Sequence, residues 1–533
     1  MLDALRRAFH RRQFFTGAGL FGWAAFARPG KAAGVELTKD IYRSLGVRPF
    51  INCRGTLTVI GGSLELPEVR AAKDLANQRF VQLDELMEAV GKRLAELTGA
   101  EWGMVSSGCA AAMSHATAAC VAGGNPDLHV RIPNLAGFAK DEVIIPAHSR
   151  NVYDAAIRAV GVRIVEVESK EQLEAAIGPR TAMIYIHAIP SAEAGPPSFD
   201  EILRIARERN VPTFVDAAPE VLTMPCGYLQ RGATLVGYSG GKVIRGPQSA
   251  GLLLGRKDLV KAAWVHSAPH HGYSRAMKVG REEMVAMLMA VEMWAKRNHE
   301  QEWKAYLDRL DHIAQRVRGI AGVTTSVREP SGRANKSPAL SVRWEQAKLG
   351  IDGAEVARLL DAGEPRILLN GGGRGGRRGG TPETGDTGVS IIAFTMSAGD
   401  EKTVADRLHE ILSAKRLPKS REAAPAPSAD LSGRWDVEIR FAAGKSTHVL
   451  HVVQKGGRLE GAHQGDFISR DFSGDIRGDA VQFASFQGES HGDSLSYRFS
   501  GKVAGDSMSG SLDMGEYLGA TWTAKRRSYG GRG

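Results

Sequence analysis

The chain has 533 residues, of which 43% are hydrophobic, with 69 Lys and Arg against 59 Asp and Glu. It is too long for one core and too apolar for disorder, which leaves two or three packed domains. Half of the net charge of +10 sits in the first 33 residues, where Arg6, Arg7, Arg11, Arg12, Arg28 and Lys31 face Asp3 alone, so the remainder carries too weak a field for nucleic acid to be an expected partner.

Residues 1–33 divide into a charged head (Met1 to Arg12), an apolar middle (Phe14 to Ala27) and a small-residue tail, the architecture of an export signal. The apolar stretch is too short for a bilayer core, which needs about 20 residues, so no permanent membrane anchor is expected. The run His10-Arg11-Arg12-Gln13-Phe14-Phe15 resembles a twin-arginine signal, with His10 where Ser or Thr is usual. That resemblance implies recognition by the twin-arginine export machinery, transport as a folded protein and a periplasmic destination.

Between about 35 and 416, helical patterns alternate with short apolar runs, which predicts a mostly parallel sheet covered by helices. Ala182–Ile186 reads as a buried strand, Ser198 and Glu201 as a capping-box pair, Ile202, Leu203, Ile205 and Ala206 as one helical face, and Pro212–Val215 as the next strand. Val143–Ile145 and Val162–Val167 bracket a helix expected over 153–160. A single long helix is expected near 282–315, followed by strands at 323–327 and 339–344 in a smaller α+β unit. The division expected is a large domain over 35–300 and a small one over 301–416. Gly371–Gly380 holds seven glycines in ten residues and reads as a loop, because ordering so many glycines costs too much backbone entropy.

Residues 417–432, with Pro418, Pro425 and Pro427, read as a linker. Beyond them, over 433–527, polar and apolar residues alternate, and Phe472–Asp479 recurs as Phe499–Asp506. This pattern predicts an antiparallel β meander or small barrel. Its histidines, His448, His451, His463 and His491, are expected at the surface. Cys53, Cys109, Cys120 and Cys226 lie far apart without a C-x-x-C pair and read as free thiols. His266, His270 and His271 lack a carboxylate or cysteine at ligand spacing, so no metal is expected there.

Three features carry chemistry. Met104-Val105-Ser106-Ser107-Gly108-Cys109 followed by alanines is a strand, a small-residue turn and a helix start, whose free amides and Ser107 hydroxyl suit a phosphate; small residues there also permit close packing. Phe214-Val215-Asp216 places a carboxylate at the carboxyl end of a buried strand, where open α/β sheets bind ligands. Such an acid needs a cationic partner, a metal or a protonated ring nitrogen; alone it also reads as a helix N-cap. Ser239-Gly240-Gly241-Lys242 supplies a lysine among glycines with no neighbouring acid, positioned to lose its proton and attack a carbonyl. A P-loop is excluded because Val243 follows the lysine. In this order the three describe a pyridoxal 5'-phosphate site, with Asp216 at the ring nitrogen and Lys242 at the aldehyde.

At these residues, and at Arg48–Asn52, Gly55–Thr58, Met277–Glu283 and Gly363–Ile367, the chain resembles the fold-type I pyridoxal phosphate enzymes with the aspartate aminotransferase fold. The branch resembled is that of bacterial selenocysteine synthase and D-glucosaminate-6-phosphate ammonia-lyase, over about residues 41–412. The resemblance implies Lys242 as the cofactor lysine and catalytic residue, Asp216 as ring-nitrogen partner, and Ser107, Gly108, Cys109 and Ser239 around the phosphate. It further implies His148 beside the ring, Arg366 as a substrate-carboxylate anchor, and a homodimer or larger homo-oligomer. The activity expected is a lyase for an amino acid or amino-sugar acid, acting by α-proton abstraction and β-elimination. Racemisation, selenium-transferase-like β-replacement, and an inactive fold that binds ligands through its C-terminal β domain are the alternatives.

Overall fold

The computed structural model describes residues 40–330, 332–371, 386–416, 425–488 and 494–527. The export-like segment, nearly all of the glycine-rich run, the first half of the expected linker and His491 lie outside the described residues.

The central sheet is built from β1 (Trp102–Ser106), β2 (Glu142–Pro146), β3 (Arg163–Val167), β4 (Thr181–His187), β5 (Thr213–Asp216), β6 (Leu235–Ser239) and β7 (Gly251–Gly255), in the spatial order β1-β7-β6-β5-β4-β2-β3. β2 to β6 pair in parallel, whereas β7 runs antiparallel to both β1 and β6. Helices cover both faces of such a sheet, so its strands are uninterrupted apolar runs rather than alternating ones; Val143, Ile144 and Ile145 are all fully buried. Because β7 reverses direction, β1 points the same way as β5 and β6. All three therefore end on one edge, where Ser106, Gly251 and Ser239 stand in register, as do Gly237, Asp216 and His187 two residues further in along β6.

The predicted capping box is present: the Glu201 carboxylate accepts from the Ser198 N–H at 2.9 Å and from its hydroxyl at 2.8 Å, and the helix Phe199–Glu208 buries Ile202, Leu203, Ile205 and Ala206. Two helical expectations are corrected. Residues 153–160 form only a 3-10 turn and one α turn, Ala155–Arg158, because the Asn151 side chain caps Tyr153 N and Gly161 ends the segment at φ +96°. The long helix is two helices, Arg281–Lys296 and His299–Arg318. Arg297 is extended, with its guanidinium on Glu302 and over the Trp294 ring, and Asn298 starts the second helix by accepting from Gln301 N at 3.0 Å.

The second helix, with Asp400–Ser413, packs on a smaller antiparallel sheet of β8 (Val323–Arg328), β9 (Ala339–Glu345), β10 (Asn370–Gly371) and β11 (Asp386–Ile392), ordered β10-β11-β9-β8. Leu310, Ile313, Trp344 and Leu408 form its core. Ile51–Asn52 pairs in parallel with Ile367–Leu368, and Cys53 exchanges backbone bonds with Leu368 and Ile392. This ladder ties the early segment 51–57 to the small sheet and brings it across the large one.

The C-terminal region is a closed barrel of β12 (Gly433–Arg440), β13 (Lys445–Lys455), β14 (Arg458–Gln464), β15 (Ser469–Arg477), β16 (Ala480–Gly488), β17 (Ser494–Ala504), β18 (Ser507–Asp513) and β19 (Gly519–Arg526), each antiparallel to the next, with β19 closing on β12. Alternation puts Trp435, Leu450, Phe472, Phe483, Phe499 and Trp522 inside. The internal repeat is two equivalent strand-and-turn units, whose turn glycines, Gly478 and Gly505, share φ +59°. Residues 425–432 are not free linker: Ser428 N bonds Gly478 O, and buried Leu431 accepts from Trp435 Nε1 at 2.8 Å. His448 and His463 overturn the surface expectation, since inward positions of the alternation bury both, whereas His451 is exposed. All four cysteines are free and buried. Among the described residues, no helix is long and apolar enough to cross a membrane.

Candidate active site

Asp216 ends β5 with 2% of its surface exposed. Its Oδ2 accepts from the Tyr185 hydroxyl at 2.8 Å, and its Oδ1 accepts from Ala218 N at 3.1 Å and from the Cys109 thiol at 3.4 Å. Burial, reinforced by the Asp216 charge, pushes both the Tyr185 phenol and the Cys109 thiol well above their ordinary pKa values, so both stay protonated and donate. Asn151 Nδ2 in turn donates to the Tyr185 oxygen at 2.9 Å. An ionised carboxylate offers about four acceptor positions. Three are filled here, which leaves one for a further donor such as a protonated ring nitrogen.

Ser107 and Gly108 form the turn between β1 and the helix Cys109–Ala122. Gly108 has φ +91°, a side chain at its position would meet nothing within 4 Å, and the helix begins without a side-chain cap. The first amides of such a helix point outward unsatisfied, and the space before them is open, which suits a phosphate. Gly251 is required alongside, because a Cβ there would lie 2.6 Å from the Gly108 carbonyl carbon. The Cys109 side chain turns to Asp216, so what this residue can offer an anion is its backbone N–H.

Lys242 follows β6 in the loop that opens with Ser239, whose N–H donates to Ala218 O at 3.2 Å and so ties the loops after β5 and β6 together. Its Nζ donates to the Thr56 carbonyl at 2.7 Å. The side chain is half-buried, no acid forms an ion pair with it among the described residues, and desolvation lowers its pKa. It lines a cavity of about 110 Å³ with Arg54, Gly55, Thr56, Asn335 and Phe394, a set drawn from the early segment and the small sheet. Asp216 does not line this cavity; it lies behind the same sheet edge, on the neighbouring strand.

His148 sits after β2 with both ring nitrogens engaged, by the Pro197 carbonyl at 3.0 Å and by Ser149 Oγ at 3.0 Å, and Ser149 Oγ accepts from His187 N beside Asp216. The ring is thus fixed at the same edge. Arg366 is placed elsewhere: its guanidinium pairs with Asp361 at 2.6 Å, over the Phe50 ring, beside the Ile51–Ile367 ladder. His266, of the expected histidine group, is buried and stacked on His129, while His270 bonds the Trp264 carbonyl.

Sequence reasoning missed Tyr185, Asn151 and the Thr56 carbonyl. Tyr185 left a trace, a lone hydroxyl inside the apolar run Ala182–Ile186. Thr56 left none, since a backbone carbonyl has no residue signature.

A family model described as Cys/Met metabolism PLP-dependent enzyme matches residues 84–268, the span that contains Ser107 to Cys109, His148, Asp216, Ser239 and Lys242. D-glucosaminate-6-phosphate ammonia lyase of Salmonella typhimurium is 32% identical over 341 residues, 62% of this chain and 89% of that protein. The chain is a fold-type I pyridoxal phosphate enzyme. A solved D-glucosaminate-6-phosphate ammonia-lyase superposes with a TM-score of 0.62 at 30% identity, covering 70% of this enzyme and 99% of that chain, so the remainder of this enzyme has no counterpart there. A 5'-C-glycyluridine monooxygenase-decarboxylase of Streptomyces is 35% identical over 62% of this enzyme and 83% of its own length. L-seryl-tRNA(Sec) selenium transferases are more distant relatives.

Proposed function

We propose that this pyridoxal phosphate enzyme is an exported lyase that removes the α proton of an amino acid or amino-sugar acid and eliminates a β substituent. The observation that carries the reading is Lys242: a desolvated amine, held only by a backbone carbonyl, beside a strand edge whose next strand ends in a buried acid. The residues fit the cofactor. Lys242 would hold its aldehyde carbon, Asp216 its ring nitrogen through the remaining acceptor position, and Ser107, Gly108, the Cys109 amide and Ser239 its phosphate, with His148 beside the ring. When bound, the cofactor supplies an electron sink for the carbon that bears the substrate amine.

The residues of the chain do the rest. Desolvation lowers the Lys242 pKa, toward the neutral form that a nucleophile and a base both require, and the Thr56 carbonyl fixes the direction of its Nζ. Tyr185, Ala218 N and Cys109 together hold the Asp216 side chain in place through three neutral donors. Arg366, already paired with Asp361, would have to exchange that partner to anchor a substrate carboxylate.

Residues 1–33 support export through the twin-arginine route and a periplasmic site of action, and a homodimer or larger ring is proposed on the resemblance. A second reading, oxygen-dependent decarboxylation, is supported by the 35% identical Streptomyces relative.

Purified protein is expected to show a visible absorbance band that borohydride reduction abolishes and that Lys242→Ala lacks, with turnover falling roughly 10²–10⁴-fold. A band that survives Lys242→Ala refutes the assignment. Incubation with amino acids and amino-sugar acids then separates the chemistries. Released ammonia and keto acid mark elimination, inverted substrate marks racemisation, a new β substituent marks replacement, and consumed oxygen with carbon dioxide marks the second reading.

A further inference from the structure

The barrel has two unlike ends. At one end lie the turns after β12, β14 and β18; the other carries the turns after β13, β15 and β17 and the chain's entry and exit. Nearest the first end, the inward positions of β13 to β17 turn polar. His448, His463, Arg470 and Ser485 are all buried there; His463 stands opposite Arg470 across the strands, and Ser485 opposite Tyr497 of β17. His463 bonds His448 Nδ1 at 2.8 Å and Ser485 Oγ at 2.7 Å. Burial lowers both histidines below their ordinary value, His463 to about 3, so the pair is neutral near pH 7.

Arg470 is the exception within this group. It is 7% exposed, its alternation with Phe472 turns it inward, and its guanidinium lies 4.8 Å from the Tyr497 ring centre. Its Nε and Nη1 are buried with no hydrogen-bond partner, and no ion pair reaches it among the described residues. Asp466, on the turn above, is occupied by Ser446 Oγ at 2.8 Å and stands 4.0 Å from His448 Nε2. A buried guanidinium without a counter-charge is costly, and a fold retains one where something else supplies the anion. The turns above it carry apolar side chains: Phe467 is 98% exposed and Leu518 77%, both on turns of this end.

We propose that this mouth binds a free organic carboxylate with a hydrocarbon or aryl tail. The carboxylate pairs with Nε and Nη1 of Arg470 between Tyr497 and the His448–His463 pair, and the tail lies along Phe467 and Leu518. The packed aromatic layer of Phe472, Phe483, Phe499 and Trp522 beneath forms the floor, so the ligand occupies the mouth and not the barrel's length. This site is independent of Lys242 and of the cofactor.

The test is calorimetric titration of the full-length holoenzyme with sodium octanoate, with inorganic phosphate and with phosphatidylglycerol vesicles, together with thermal melting. Octanoate is expected to bind one per chain, to weaken roughly 30-fold or more in Arg470→Met, to weaken less in Arg470→Lys, which keeps the charge but not the fork, and to be unaffected by Arg477→Gln on the outer wall. Without ligand, Arg470→Met is expected to melt higher than the parent, because it removes an unpaired buried charge, and octanoate to raise the melting temperature of the parent only. Phosphate binding as tightly as octanoate, or binding to vesicles without binding to octanoate, overturns the assignment of a carboxylate with an apolar tail. A lower melting point in Arg470→Met overturns it as well, since the guanidinium would then be satisfied within the chain.

Discussion

Asp216 of the α/β body and Arg470 of the barrel are both more than nine-tenths buried, yet their surroundings differ. Asp216 accepts three hydrogen bonds, from a phenol, a thiol and a backbone amide, and keeps one position open. Arg470 has two N–H groups with no acceptor and neutral histidines for neighbours. The difference follows from architecture. A parallel sheet ends all its strands at one edge, where turns and helix starts supply donors from several directions. A closed barrel turns its side chains inward on itself and has no loose backbone to offer, so a charge placed inside it must be met by another side chain or by a ligand. In the body a site is made by strand ends, and in the barrel only the mouth is available.

The largest effect that would break this comparison is at Asp216. Asp216→Asn keeps the shape but removes the charge, and turnover is expected to fall about 10²–10³-fold with loss of bound cofactor, while the fold persists. Steady-state kinetics and cofactor retention on gel filtration measure it. Unchanged turnover would make Asp216 a structural turn residue, no different in kind from an N-cap.

Acid sharpens the comparison next. Burial lowers His115 to about 4 and His266 to about 3 in the body, and His463 to about 3 in the barrel, against an ordinary value of 6.5. The unfolded chain therefore takes up protons that the folded one refuses. The stability these groups contribute is complete above about pH 6.5 and drains away as pH falls toward 3 to 4, at about 1.4 kcal/mol per pH unit for each histidine. Urea unfolding between pH 7 and 5, followed by fluorescence, should show this slope, and His463→Asn should flatten it by one proton in the barrel transition alone. A slope untouched by that change would mean that His463 is protonated inside the folded barrel.

The smallest effect concerns the repeat. Gly478 and Gly505 both sit at φ +59°, where a Cβ meets only Pro425 Cβ at 3.7 Å or nothing at all. Replacing either with Ala should cost about 1 kcal/mol through backbone strain alone. Equal shifts in denaturant midpoint would confirm that the two units are structurally equivalent, and unequal ones would locate an unseen contact.

Much was readable before any coordinates. The β/α alternation, the Ser198–Glu201 capping box, the barrel-type alternation and the Ser107, Asp216 and Lys242 sequence rest on local patterns, because strand and helix periods and turn chemistry are written in consecutive residues. The errors have a common cause. The break at Arg297–Asn298 is hidden in a continuous helical pattern, since what stops the helix is the pull of Glu302 and Trp294 on one guanidinium. His448 and His463 look like ordinary strand histidines, since a period of two assigns a face but does not say that the sheet closes on it.

The sequence by itself determined the fold class and the free cysteines and nominated the residues proposed to hold the cofactor, because each depends on composition or on spacing along the chain. Only the tertiary structure decided that Tyr185 and Cys109 meet on Asp216, that the Thr56 carbonyl holds Lys242, and that Arg470 is enclosed without an anion among the described residues. Those are contacts between residues from about 30 to nearly 200 positions apart or, for Arg470, a barrel closed by its first and last strands. Strand register and chain closure fix them, and neither is expressed in any local stretch.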